Sequence, residues 1–134
     1  MSEKQIKVLV VEDDVTMREI VVHKLTTNGF LVVEAGDGKQ AVEVWKKEKP
    51  DIVLLDLMLP QMDGFQILEI IRKEKDEELK KTAVIVLSNL FSKEDIQRAK
   101  DLSIDDFMVK AYYTTEEILT RVKEALKKKG ITTK

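Results

Sequence analysis

The sequence predicts an α/β fold with a doubly wound, five-stranded parallel sheet and helices on both faces. Two observations lead to this prediction: short apolar runs rich in β-branched residues, and amphipathic segments that alternate with them along the chain. Strands separated by helices form βαβ units, whose right-handed crossovers produce a parallel sheet. The chain has 134 residues, a length that suits one domain. We predict that the domain occupies residues 1–128 and that residues 129–134 form a frayed tail.

The individual elements follow from local patterns. Val8–Val11 is a continuous apolar run, as expected of a strand buried on both faces. Thr16 is predicted to cap the next helix, which Asn28-Gly29 ends. The later strands and helices alternate in this order: Leu31–Val33, Lys39–Glu48, Asp51–Leu55, Phe65–Lys75, Ala83–Leu87, Lys93–Leu102, Asp106–Val109 and Thr115–Lys128. The charged stretch Lys75–Lys81 is predicted to be a solvated extension.

The composition of the strands indicates their order. The first, third and fourth strands are the most uniformly apolar, whereas the second is short and the fifth is flanked by Asp105 and Asp106. The second and fifth strands are therefore expected at the edges, which gives the flavodoxin-like order 2-1-3-4-5. In such sheets, ligands bind at the carboxyl ends of the strands where the order reverses, here between the first and third strands.

Composition excludes several classes of protein. Lys and Arg total 23 against 25 Asp and Glu, so the chain has no excess of basic residues that would favour the binding of nucleic acid. The absence of cysteine excludes disulfides, zinc-thiolate sites and thiol nucleophiles. No apolar run approaches the roughly 18 residues of a membrane span, and the N-terminus lacks a cleavable signal pattern. We therefore predict a cytoplasmic protein that contacts neither membranes nor nucleic acid directly.

Chemically active side chains follow four of the predicted strands. They are Glu12 and Asp13, Asp56, Ser88 and Lys110. Three carboxylates in one cleft repel each other unless a cation offsets their charge, and Mg²⁺ prefers such hard oxygen ligands. Lys110 and Ser88 can bind the oxygens of a phosphoryl group. These parts suit phosphoryl transfer with Asp56 as the nucleophile.

Three motifs together resemble the receiver domain of the response regulators of two-component signalling. They are Val10-Val11-Glu12-Asp13-Asp14, then Asp56-Leu57-Met58-Leu59-Pro60-Gln61-Met62-Asp63-Gly64, and finally Ser88, Phe107 and Lys110 in this order. The resemblance extends from Lys7 to about Lys127. It implies a switch that takes a phosphoryl group from a histidine kinase or a phosphotransfer protein. No effector domain follows in the sequence, so we expect either a stand-alone regulator or a fragment of a longer one. The phosphorylated chain would then present a changed surface to a downstream effector protein.

The resemblance also implies roles for single residues around the acceptor. Asp56 resembles the phosphoacceptor, Asp13 the direct carboxylate ligand of Mg²⁺, and Glu12 a ligand that acts mostly through water. Met58 resembles the residue that offers its backbone carbonyl to the metal.

Other matching positions resemble the family's switch. Ser88 and Lys110 resemble the hydroxyl and the lysine that sense the phosphoryl group. Phe107 resembles the aromatic residue that changes rotamer on activation, with a core residue as the alternative.

Three positions depart from the family pattern. Ala111 follows Lys110 where proline is common, and often cis, and Asn89 follows Ser88 where a small apolar residue is usual. Ser103-Ile104 stands where Gly-Ala usually precedes the fifth strand. None of these changes removes a chemical group from the site.

The charges near the fifth strand predict a homodimer that forms on phosphorylation. Asp106, Glu117 and Arg121, with Lys93 or Arg98, resemble the residues that pair across a two-fold axis in receivers whose outputs bind DNA. A two-fold interface uses one patch twice, so acids and bases on this face could pair reciprocally.

An Mg²⁺-dependent phosphohydrolase is the alternative function, because it also uses an Asp nucleophile after a strand. That enzyme needs a second Asp two residues later as its general acid, where this chain has Met58. His23, the only histidine, is predicted to lie at the surface or its boundary, so a phosphodonor histidine must come from a partner. Trp45 is predicted to pack in or beside the core.

Overall fold

The structure is a computed structural model that describes residues 5–131, and it confirms the predicted fold class. The strands are β1 (Lys7–Val11), β2 (Leu31–Ala35), β3 (Ile52–Leu55), β4 (Ala83–Ser88) and β5 (Asp106–Val109). The helices are α1 (Val15–Thr27), α2 (Gly38–Glu48), α3 (Gly64–Arg72), α4 (Glu77–Lys80), α5 (Lys93–Asp101) and α6 (Thr115–Lys128), with a 3₁₀ turn at Lys110–Tyr112. All four strand pairs are parallel, and the sheet order β2-β1-β3-β4-β5 is the predicted one.

The two faces of the sheet bury separate apolar clusters. Along β1, Val8 and Val10 belong to a cluster that also contains residues of α1 and α6. The alternate residues Leu9 and Val11 belong to the other cluster, with residues of α2, α3 and α5. This alternation follows from the two-residue period of a strand. Burial on both faces explains why the central strands are apolar except for Lys7 at the start of β1 and Ser88 at the end of β4.

The register of the sheet brings the predicted site residues to one edge. Val11 at the end of β1 pairs with Leu55 at the end of β3. Glu12 and Asp56 therefore leave the sheet side by side. On the other side of β3, the last residue pair between β4 and β5 is Ser88 with Val109. Lys110 therefore lies just beyond the end of this strand pairing.

The start of α1 differs from the prediction. Thr16 lies inside the first turn, and Asp14 is the N-cap because its side chain accepts a hydrogen bond from the Met17 N–H at 3.0 Å. Asp14 is exposed, as predicted for a surface residue. Both Asp and Thr are good caps, but the turn after β1 gives the extended backbone that a cap needs to Asp14.

The stretch Lys75–Lys81 is not the simple solvated extension that its charge predicted. It contains α4, capped by the Asp76 side chain, and Leu79 within it is buried against the cluster on the α2 and α3 side of the sheet. One apolar side chain is enough to dock this short segment.

The end of the domain is packed as far as the structure describes it. Helix α6 ends at Lys128, where the helix was predicted to end. Beyond it, Gly130 has a positive φ of 78°, and the Ile131 N–H donates to the Leu126 carbonyl at 2.9 Å. Ile131 is half-buried against the core. Residues 132–134 of the predicted tail, like residues 1–4, lie outside the described residues.

Single side chains behave as predicted in two places. Trp45 is buried in the core and His23 is exposed.

Between residues 5 and 131 no peptide bond is cis, so the Lys110–Ala111 bond is trans. None of the helices in this part of the chain combines the length and apolar character needed to cross a bilayer.

Candidate functional site

Three acidic side chains meet at the carboxyl edge of the sheet. Glu12, Asp13 and Asp56 each offer one carboxylate oxygen, and these oxygens lie within 4.8 Å of one another. Glu12 and Asp56 are each only 4% exposed, whereas Asp13 is exposed. An all-oxygen, all-carboxylate set of this spacing fits a hard divalent cation such as Mg²⁺. The open position of Asp13 leaves room for water or a phosphate oxygen beside the acids.

The carboxylate of Asp56 is held by three donors. Its Oδ1 accepts hydrogen bonds from the Ser88 hydroxyl at 2.8 Å and from the Met58 N–H at 3.0 Å. Its Oδ2 accepts from the Lys110 ammonium at 2.7 Å. These bonds fix the orientation of a nearly buried carboxylate and leave its remaining lone pairs toward the acidic cluster.

Lys110 is shared between two acids. Its Nζ contacts Glu12 as well as Asp56, and its side chain is only 15% exposed. Burial lowers the pKa of Lys110, but the hydrogen bonds to Asp56 and Glu12 outweigh burial, so its pKa lies above the usual lysine value. Lys110 therefore stays charged at neutral pH and offsets part of the negative charge of the cluster.

Burial acts in the opposite sense on Glu12. Burial raises the pKa of the Glu12 carboxyl above its usual value, and the hydrogen bonds from Lys110 and from the Asp14 N–H reverse this only in part. The charged form of Glu12 thus depends on the nearby cations. Any further positive charge that binds in this cluster stabilises the charged carboxylates.

The loop after β3 carries Asp56 and is shaped by a glycine. A Cβ atom on Gly64 would lie 2.6 Å from the Asp56 carbonyl oxygen and 2.7 Å from the Leu57 Cα, both backbone atoms. The Gly64 N–H also donates to the Leu57 carbonyl at 3.1 Å. Asp63 then starts α3 with a capping box completed by Gln66. Only glycine permits this close return of the chain.

Arg18 is a site neighbour that the sequence analysis did not identify. Its Nη1 donates to the Glu12 carbonyl at 2.6 Å, and its Nε donates to Glu34 Oε1 at 3.1 Å. Arg18 thereby ties the end of β1 to β2 beside the acids. The available signal was its place in the first turn of the helix that directly follows the acidic run.

Met58 and Phe107 are the remaining predicted site residues. The Met58 side chain is 56% exposed, and its backbone N–H faces Asp56. Phe107 is half-buried on β5 and packs against the cluster on the α2 and α3 side of the sheet. This packing suits both interpretations of Phe107, as a switch and as a core residue.

The predicted dimer residues are paired within the chain. The Arg121 guanidinium donates to Asp106 Oδ2 at 2.6 Å and lies 5.2 Å from the centre of the Tyr113 ring. Glu117 accepts hydrogen bonds from the N–H and hydroxyl of Thr114 in the capping box of α6. These charges are therefore satisfied in a single copy of the chain.

On the same face, the Arg98 guanidinium lies 4.1 Å from the centre of the Phe65 ring and 3.8 Å from Glu69. Lys93 is exposed. Of the two bases that the sequence offered for the dimer, Lys93 is thus the more open to a second molecule.

The fold and the acidic edge together define a receiver domain, and comparison with known proteins gives the same result. The family described as "response regulator receiver domain" matches residues 8–123. The chain belongs to this family, whose members act in two-component signalling.

Relatives and solved structures share most of this chain. It is 33% identical over 122 residues to the probable transcriptional regulator ycf27 of Porphyridium aerugineum, a match that covers 91% of this chain and 48% of that protein. The chain thus spans about half the length of the curated relatives that it matches, 53% in the case of TcrX of Mycobacterium tuberculosis.

Two solved structures illustrate the similarity of fold. The receiver domain of the Francisella response regulator 1452 has a TM-score of 0.81 and 32% identity, and the match covers 93% of this chain and 99% of that one. The chemotaxis response regulator CheY4 of Vibrio cholerae has a TM-score of 0.83 and 28% identity, with 92% and 100% covered.

Proposed function

We propose that the chain is a phosphorylation-activated switch of a two-component phosphorelay and that Asp56 is its phosphoacceptor. The observation that carries this proposal is the Asp56 carboxylate, held by Ser88 and Lys110 beside two further acids at the carboxyl edge of the sheet. The phosphodonor is the phosphohistidine of a sensor histidine kinase or a phosphotransfer protein. The chain acts in the cytoplasm.

The transfer exchanges one bond to phosphorus for another. An Asp56 oxygen forms a bond to phosphorus as the bond between phosphorus and the histidine nitrogen breaks, and the histidine keeps the electron pair. The Lys110 ammonium moves from the Asp56 oxygen to a phosphoryl oxygen, and the Ser88 hydroxyl does the same. Both groups then stabilise the negative charge of the aspartyl phosphate.

The acidic cluster has the ligand set for the metal of this reaction. Glu12, Asp13, Asp56 and the backbone carbonyl of Met58 would hold Mg²⁺, whose charge offsets that of the acids and the phosphoryl oxygens when it is bound. Met58 has no proton to transfer where a phosphohydrolase has its general acid. We therefore propose a signalling domain rather than an enzyme that turns over a phosphorylated substrate.

The output of the switch is a changed surface on α5, β5 and α6. When the Ser88 hydroxyl turns to the phosphoryl group, Phe107 changes rotamer and shifts the half-buried packing beside it. A downstream effector protein, or a second copy of the chain, binds the altered face. Phosphorylation shifts the population of the chain toward one of its two surfaces when the phosphoryl group interacts more favourably with that conformation.

Labelling with a small phosphodonor tests the proposal. The chain is incubated with acetyl phosphate with and without Mg²⁺, and its intact mass is measured. We expect the gain of one phosphoryl group, dependent on Mg²⁺ and absent in Asp56→Asn. Asp101→Asn, an exposed change on α5, is the matched control and should be labelled normally. Full labelling of Asp56→Asn would overturn the assignment of the acceptor.

A further inference from the structure

Two of the positions that depart from the family pattern are bonded to each other. The Asn89 side-chain oxygen accepts a hydrogen bond from the Ala111 N–H at 3.0 Å. Asn89 stands where the family pattern has a small apolar residue, and Ala111 stands where it has proline. Proline has no N–H, so this bond is available only because both positions changed.

The bond lies directly beside the lysine of the site. The backbone ladder between β4 and β5 ends at the pair of Ser88 with Val109. Asn89 and Lys110 each follow that pair, and Ala111 is the next residue. Among the strands of residues 5–131, β5 lies at the edge of the sheet and pairs with β4 alone. The Asn89 side chain thus continues the link between the two strands past the end of the ladder.

A second contact joins the same two loops. The rings of Phe91 and Tyr112 are 6.0 Å apart between centroids and tilted by 57°, within the range of favourable aromatic pairs. Both rings are largely exposed, at 46% and 68%. The contact therefore connects, at the surface, the loop after β4 with the last residue of the 3₁₀ turn that begins at Lys110.

We infer that Asn89 is a positioning residue that holds the backbone after Lys110 so that the ammonium group reaches Asp56. The inference rests on the proposed function, in which this ammonium group stabilises the transferred phosphoryl group. A proline would restrict the backbone at this position through its fixed φ. Ala111 lacks that restriction and carries an N–H that proline would not have. Asn89 supplies a partner for this N–H and, with it, the restraint.

The restraint matters because lysine is long and flexible. The Lys110 side chain must cross from the edge strand to two acids, Asp56 and Glu12, and it is held there at 15% exposure. A small displacement of its backbone moves the ammonium group away from both acids, and positioning errors of this size are costly in catalysis. By contrast, Asn89 and Ala111 are both exposed, so their bond contributes little to folding.

The test compares three variants by phosphorylation with acetyl phosphate, which needs no docking surface. Asn89→Ala removes the acceptor and Asn89→Asp retains it. Asn28→Ala removes the chain's other asparagine, the exposed C-cap of α1, whose side chain donates to the Lys24 carbonyl. Initial rates are measured over a range of acetyl phosphate and Mg²⁺ concentrations. Native-state hydrogen exchange of the Ala111 amide is followed by NMR, and thermal unfolding monitors the fold.

We expect Asn89→Ala to lower the maximal labelling rate about tenfold, with the half-saturating Mg²⁺ concentration and the thermal midpoint unchanged. The Ala111 amide should exchange faster in Asn89→Ala, and Asn89→Asp should restore both its protection and the labelling rate. Asn28→Ala should match the unaltered chain in labelling rate and in the exchange of the Ala111 amide.

Each unexpected result of this experiment would contradict a different claim. If Asn89→Ala is labelled at the normal rate, or if Asn89→Asp is as slow as Asn89→Ala, the positioning role is wrong while the proposed function stands. An Ala111 amide that exchanges equally fast in all chains contradicts the bond itself. If the unaltered chain takes no label, the proposed function and this inference fall together.

Discussion

The ammonium group of Lys110 lies 2.7 Å from Asp56 Oδ2 and also contacts Glu12, so one cation serves two buried acids. Removal of this cation leaves both nearly buried carboxylates without the charge of Lys110. Loss of one partner of a buried ion pair is far more destabilising than loss of the whole pair.

Lys110→Met is therefore expected to lower the free energy of unfolding at pH 8 by about 3 kcal/mol. The pKa of Glu12 is already raised by burial. A raised carboxyl pKa means that Glu12 favours folding below its ordinary value of 4.5 and loses this contribution as pH rises through the folded value. In the variant, Glu12 lacks the stabilising charge of Lys110 and gains more from protonation. The loss in the free energy of unfolding relative to the unaltered chain should therefore shrink as the pH falls from 8 to 5.

Urea unfolding at both pH values measures this effect. Lys100→Met, a change at an exposed lysine of α5, is the control and should have almost no effect. A deficit for Lys110→Met that is equal at the two pH values would contradict the proposed charge balance. In the unaltered chain the raised pKa of Lys110 predicts a separate loss of stability only as pH rises above the ordinary lysine value of 10.5.

Gly64→Ala should damage both the fold and the site. The added Cβ would meet the Asp56 carbonyl and the Leu57 Cα, which cannot move without the loop. We expect the free energy of unfolding to fall by about 2 kcal/mol and labelling by acetyl phosphate to slow. In the control Gly36→Ala the new Cβ meets the end of the flexible Arg18 side chain at 2.9 Å. A similar loss in both variants would mean that the loop after Asp56 has no special demand for glycine.

Ser103→Gly is expected to stabilise the chain. Ser103 has a φ of 59°, the left-handed conformation that costs a residue with a Cβ about 1 to 2 kcal/mol. Part of this gain is lost to the greater freedom of glycine in the unfolded chain, which leaves a net increase of about 0.5 to 1 kcal/mol. Chemical denaturation measures the change. Ser103→Ala keeps the Cβ and should show no gain; an equal gain would assign the effect to the serine hydroxyl instead.

The aspartyl phosphate of the proposed switch should be long-lived. The backbone amides of Met58 and Leu90 bond to Asp56 and Ser88, so both residues are next to the proposed acceptor. We expect their apolar side chains to flank the path by which water reaches the phosphoryl group. Neither side chain can orient that water. Met58→Asn should speed the loss of the label, and Leu90→Lys should also change the rate, both by more than about twofold. Intact mass after removal of the donor follows the decay, and smaller changes in both variants would argue against this explanation.

The chain should be a monomer until it is activated. Arg121 bonds to Asp106 of the same chain, and exposed ion pairs contribute only about 0 to 1 kcal/mol each. Dimerisation must therefore exchange these bonds for equivalent ones across a two-fold axis. Light scattering with and without beryllium fluoride and Mg²⁺ should show a dimer only in the activated sample. A monomer mass in both samples at high protein concentration means that this face binds another partner.

Patterns along the chain were sufficient to predict the fold and the composition of the site. Alternation of apolar runs with helical segments gave the βαβ architecture, and the polar ends of the strands located Glu12, Asp56 and Lys110 at one edge. These predictions work because a parallel sheet aligns the ends of its strands.

Features that depend on one contact could not be predicted in this way. The helix around Leu79 has four residues, too few for a periodic pattern. Both Asp14 and Thr16 are favourable caps by residue type, and the extended backbone of Asp14 depends on the folded turn after β1. The bonds from Arg18 to the Glu12 carbonyl and between Asn89 and Ala111 depend on the folded positions of whole loops.

The chain's single tryptophan lies at the opposite end of the sheet from the acids. Trp45 is buried, and its indole N–H donates to the Thr82 hydroxyl at 3.1 Å, just before β4 begins. Asp56 follows the carboxyl end of β3. Trp45 is therefore an intrinsic fluorophore whose emission follows the loss of packing on unfolding and is separated from Mg²⁺ binding and phosphorylation by the length of a strand.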